Sequence, residues 1–143
     1  MTLRSLTVAT LTVTMFLVAG CGGPGDKEKA LAMAAQSCTR ALADAEPGQA
    51  DSDIVDARSE AADLAAEAAN LDPRWDSLVD ASTAWEQGTR DLMEMTADLD
   101  SMNEITLARL GDDLSESERE IQAACRKVQA AGGRVDTIGD LGS

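Results

Sequence analysis

Histidine and tyrosine are absent from the 143 residues, and phenylalanine occurs once. Without histidine there is no Ser-His-Asp or Cys-His catalysis, no two-histidine zinc helix, no Glu-x-x-His di-iron site and no haem attachment of the C-x-x-C-H type. Glycine is not arranged as a phosphate loop or a dinucleotide fingerprint, and the many Asp residues do not fall at EF-hand spacing. Positive charge is also scarce, with 12 Lys and Arg against 26 Asp and Glu, a net charge of −14. That balance excludes nucleic acid as a partner, because phosphate binding needs a basic surface. Long apolar runs are missing too: the uncharged stretch from Ser5 to Gly20 is shorter than the roughly 20 residues a spanning helix needs.

What that stretch does fit is an export signal. Arg4 is the single charge before it, and Leu6, Val8, Leu11, Val13, Met15, Phe16, Leu17 and Val18 form its apolar centre, closed by Gly20, Gly22, Gly23 and Pro24. The junction Leu17-Val18-Ala19-Gly20-Cys21 resembles the lipobox of bacterial lipoproteins, an aliphatic residue and two small residues before the cysteine. It departs from the commonest form in having Val18 where Leu is more usual. The resemblance implies diacylglycerol on the Cys21 thiol, cleavage before Cys21 and a further acyl chain on the new amino group. The alternative is an ordinary secretory signal, which leaves Cys21 as an exposed odd thiol on an exported protein. Two acyl chains hold a protein stably where one gives marginal binding, so lipid alone suffices as an anchor.

Residues 1–20 are therefore expected to be removed as a signal peptide, and residues 21–26 to form a lipidated flexible tether. A single domain is expected over 27–131 and a disordered tail over 132–143. Cleavage removes Arg4 and no acid, leaving 11 basic against 26 acidic residues and a net charge of −15 once the amino terminus is acylated. Such a domain stands off anionic headgroups while tied to them. Of three cysteines, one is lipidated in this reading, and Cys38 and Cys125 remain as an exported pair, for which a disulfide is the natural state.

The mature chain is rich in Ala, Leu, Asp, Glu and Arg with few β-branched runs, which predicts an all-α domain. The first helix is expected over roughly Asp26 to Ala45, with Leu31, Ala34, Cys38, Ala41 and Ala45 on one face and Glu46-Pro47-Gly48 as its stop. Asp51 or Ser52 is expected to cap the second, whose stripe is Ile54, Ala57, Ala61, Leu64, Ala68 and Leu71. Asp72 before Pro73 marks the start of the third. Its seam repeats every seven residues through Leu78, Trp85, Leu92 and Leu99, flanked by Ala81, Gly88, Met95 and Met102. Leu107, Leu114, Ile121 and Val128 repeat in the same way on the fourth.

Where the third helix stops is decided by the cysteines. A helix running to Leu110 would leave Cys125 about 20 Å along the axis from Cys38, beyond disulfide reach. A capping box at Ser101-Met102-Asn103-Glu104 brings it to within about 9 Å of that level. The expected architecture is an up-down-up-down four-helix bundle in which Gly111 is a kink. Its core is thin, being largely Ala with only Trp75 and Trp85 as aromatics, so the disulfide serves as a staple.

Candidate site residues are few. Glu118 is the one charged residue inside an apolar stripe, between Leu114, Ile121 and Cys125, and is either a ligand contact or a solvated edge. Trp75 and Trp85, ten residues apart, fall on broadly one side of their helix, as core anchors or as the lining of a small-molecule groove. Met93, Met95 and Met102 suit Cu(I) but more ordinarily fill a core. Asp51 with Asp53, and Asp98 with Asp100, suit weak Ca²⁺ binding but sit at helix ends, where capping is the ordinary role. No cofactor, resident metal or catalytic residue is expected. The functional expectation is a non-enzymatic accessory lipoprotein of the envelope, lipid-anchored on the extracytoplasmic face, that presents an acidic surface to another envelope protein or to the cell wall. The alternative is a helical module that binds a small ligand or a metal cation.

Overall fold

The computed structural model describes residues 23–44, 48–97 and 103–136. Four helices follow one another: α1 (Pro24–Ala41), α2 (Asp51–Leu71), α3 (Asp76–Thr96) and α4 (Glu104–Ala130), with a 3-10 turn at Pro73–Trp75 leading into α3. Each helix packs on the next, and α4 also meets α1, which makes the expected all-α four-helix bundle.

The helix starts differ in detail from the expected ones. Proline suits the first turn because its missing N–H has no partner there anyway, so α1 begins at Pro24, and the Gly23 N–H donates to Asp26 Oδ2 at 3.1 Å. The expected tether over 21–26 is accordingly shorter. Neither Asp51 nor Ser52 caps α2: Asp51 is its first residue and Ala50 precedes it with no side-chain cap. Asp72 does act as expected, accepting from the Arg74 N–H. For α4 the cap is Asn103, not Ser101, and its Oδ1 accepts from the Thr106 N–H at 2.8 Å. The third helix thus ends at Thr96, well before Leu110, and α4 begins at Glu104 and runs through Gly111 as one helix. Ser101 itself and Met102, like Ala45 and Leu99, lie outside the described residues.

Ala30, Ala34, Cys38, Ala61, Ala65, Ala68, Leu78, Ile121, Cys125 and Val128 are buried almost completely. Small residues dominate this core, as its sequence predicts. Cys38 and Cys125 are joined with 5.6 Å between their Cα atoms, tying the end of α1 to α4 across 87 residues of chain. Ser37, fully buried, donates to the Ala61 carbonyl at 2.7 Å and so satisfies its hydroxyl across the α1–α2 contact.

After α4 the chain does not leave the bundle. Gly132 takes a left-handed φ of +95°, the Gly132 N–H donates to the Gln129 carbonyl, and the Gly133 N–H donates to the Val128 carbonyl at 3.0 Å. This is a Schellman turn. It folds the chain back so that Val135 is buried against the core. The expected tail over 132–143 is therefore packed through Asp136; its remaining residues lie outside the described ones.

Candidate functional site: the open end of the bundle

The four helices are unequal, and the difference creates an opening. Trp85 Nε1 donates to the Ala41 carbonyl at 2.8 Å, taking up one of the four carbonyls that a helix C-terminus leaves without partners. This bond also sets the level at which α1 stops. From Trp85, α3 continues to Thr96, about 16 Å further at 1.5 Å per residue. Among the described residues, therefore, no helix continues α1 beside α2, α3 and α4 beyond Ala41.

Arg58 of α2 lies at the base of this opening. Its guanidinium stacks 4.1 Å from the centre of the Trp85 ring and donates through Nη1 to Thr89 Oγ1. Thr89 is buried and passes its own hydroxyl proton to the Trp85 carbonyl at 2.8 Å, so each polar atom in the chain of contacts has a partner. Burial pushes the Arg58 pKa below its ordinary value, and the nearby Glu118 carboxylate acts the other way. The guanidinium remains charged, and its stacking over Trp85 closes the top of the core with a cation–π contact. Nothing in the periodicity of α2 singles out Arg58, because it flanks the apolar stripe rather than falling in it.

Glu118, expected inside an apolar stripe, is exposed, and its Oε1 accepts from Gln122 Nε2 at 3.1 Å. The reason is the same missing neighbour. Glu118 precedes Cys125 by two turns and has nearly its bearing, but α1 ends one turn above Cys38. Among the described residues no helix faces the stripe at that height, and the charge there stays in water. Leu107 follows suit: it heads the Leu114, Ile121, Val128 repeat yet is 44% exposed, and Ile105 is 73% exposed.

The two tryptophans are core residues, 4% and 8% exposed, and they sit at different heights. Trp75 lies by the α2–α3 turn with the Arg74 guanidinium 4.6 Å from its ring centre, while Trp85 lies at the open end. Neither lines the groove of about 590 Å³ that runs between α1, α2 and the returning chain, bounded by Leu31, Ala35, Leu64, Arg134 and the exposed ion pair of Arg40 with Glu60 (3.4 Å). Both tryptophans thus take the core-anchor reading rather than the groove-lining one.

Compared with known families, curated proteins and solved structures, the chain matches none. The site is thus defined by its own chemistry. Among the described residues no three His, Cys, Asp or Glu side chains gather at metal-binding distance, and Asp51 and Asp53 are exposed in the first turn of α2. Met93 and Met95 are half-buried on α3; Met102, Asp98 and Asp100 fall outside the described residues. Also among the described residues, no helix is long and apolar enough to cross a membrane. The opening thus combines a stacked arginine, exposed acids and exposed aliphatic side chains.

Proposed function

We propose that this chain is a lipid-anchored, non-enzymatic accessory protein of the bacterial envelope, in which the bundle is a spacer that holds its open end away from the membrane. The observation that carries the reading is the start of α1 at Pro24, three residues after the cysteine of the lipobox-like junction. So short a link fixes which end of the bundle faces the bilayer. The anchor meets the N-terminus of α1, the α2–α3 turn and the C-terminus of α4. The open end, with Leu107 and Ile105, lies at the other pole, about 40 Å away along the 27 residues of α4. The net negative charge favours the same posture, since anionic headgroups repel the body of the domain.

Replacement of the anchoring thiol tests this. In the native host, or in a related bacterium, the parent chain is expected in the membrane fraction and Cys21→Ser in the soluble extracytoplasmic fraction with its Cys38–Cys125 bridge intact. Equal partition of the two forms would refute the anchor without touching the fold.

A further inference from the structure

The Cys38–Cys125 bridge joins α1 to α4, and the chain that follows α4 folds back beside that junction. The two helices run antiparallel, so Ala35, three residues before Cys38, and Val128, three residues after Cys125, lie at one level, about a turn from the bridge. Gly133 sits at this level, because a Cβ on it would meet both Val128 and Ala35. Three residues later the Asp136 N–H donates to Thr39 Oγ1 at 3.4 Å, and Thr39 directly follows Cys38. Between these two points Val135 is 8% exposed and belongs to the same apolar cluster as Ala35, Cys38, Cys125 and Val128. The returning segment, residues 133–136, therefore runs along α1 from the turn before Cys38 to the residue after it, with Val135 turned inward near the level of the bridge. Neither sulfur pair member is open to solvent: Cys38 and Cys125 are both fully buried.

The hold on this segment is slight beside that on the helices. After the Schellman turn it is kept in place by the buried Val135 side chain and the long Asp136 hydrogen bond, while Arg134 and Asp136 are exposed. A segment with few buried apolar contacts opens locally at a smaller cost than the whole domain.

We infer that residues 133–136 are a detachable cover over the bridge, through which a dithiol reductant opens the Cys38–Cys125 bond while the rest of the bundle stays folded. Exchange begins with attack of a thiolate on a disulfide sulfur, which burial of both cysteines prevents while Val135 is in place. With the segment lifted, one reductant thiolate bonds to one cysteine sulfur and the other cysteine leaves as a thiolate and takes up a proton. The second reductant thiol then displaces the first cysteine. The protein gains two electrons and two protons, and the dithiol becomes a disulfide. The cross-link is the staple of a thin core, so its opening loosens α1 from α4 and makes the bundle sensitive to redox conditions. None of these residues belongs to the anchor, and the cover acts alike with or without lipid on Cys21.

The test is the rate at which excess dithiothreitol reduces the disulfide-bonded protein without denaturant, read by trapping the new thiols with a maleimide. Three proteins are compared, each also unfolded in urea: the parent, Val135→Ala and Ala66→Gly. Ala66 lies on the side of α2 that faces α3, away from the cover, and glycine there weakens the whole bundle through helix propensity. Val135→Ala removes two methyl groups from the cover and is expected to be reduced about fivefold faster than the parent or more. Ala66→Gly is expected to be reduced at the parent's rate to within about twofold, despite its lower urea midpoint. An unchanged rate for Val135→Ala would overturn the inference. So would a rate for Ala66→Gly that rises in step with its lost stability, or a parent that stays oxidised until urea unfolds it, because either result makes reduction wait on unfolding of the whole bundle.

Discussion

At the scale of single residues, two glycines of this chain have opposite roles. A Cβ on Gly133 would come within 2.6 Å of Val128 Cγ1 and 3.3 Å of Ala35 Cβ, in the turn that folds the chain back over the core. Gly111 sits in a helix where a Cβ meets nothing. Gly133→Ala is therefore expected to destabilise the protein by about 1–3 kcal/mol through overpacking. Gly111→Ala should stabilise it by up to about 1 kcal/mol through helix propensity. Urea unfolding followed by tryptophan fluorescence measures both, and a shared sign would contradict the account. Read from the sequence, Gly132-Gly133 marks a release of the chain, because glycine signals both freedom and close approach. Which of the two applies depends on Val128, one turn back in α4, and on Ala35, brought in from α1. Arg58 was hidden for a related reason: an arginine beside an apolar stripe looks like a solvated residue until a tryptophan from another helix lies under it.

At the scale of elements, the thin core gives the Cys38–Cys125 bridge an unusual share of the stability. Buried Ala contributes far less than Leu or Phe would, and the 87-residue separation gives the cross-link a large effect on the unfolded chain, on the order of 4 kcal/mol in the chain-entropy model. The double substitution Cys38→Ala with Cys125→Ala is expected to lower unfolding stability by several kcal/mol, shifting the urea midpoint without changing the helical content at zero denaturant. A midpoint unchanged from the parent would show that the helix contacts alone hold the fold. The order, number and handoff of the helices were legible in the sequence because heptad spacing and the pairing of Cys38 with Cys125 both depend only on residue number. Their ends were less so. The Ala41 terminus of α1 comes from a bond to Trp85, 44 residues further along the chain, and no local signal before Glu46-Pro47-Gly48 marks it. Glu118 did mark it from afar: a carboxylate in an otherwise apolar stripe shows the height at which the neighbouring helix has ended.

At the scale of the whole molecule, the inequality of the helices gives the bundle two different poles. One pole is the start of α1, close behind Cys21; the other is an acidic opening with exposed aliphatic side chains. The arrangement suits a protein that is fixed at one end and recognised at the other. The central claim is that the chain is held at the membrane by lipid on Cys21 and closed by its remaining two cysteines. Both parts are tested at once by the intact mass of the protein purified from membranes of its native host, recorded before and after reduction. The account predicts a mass for residues 21–143 plus acyl chains, gaining two hydrogens on reduction. An unlipidated mass would contradict the anchor, and a mass unchanged by reduction would contradict the bridge.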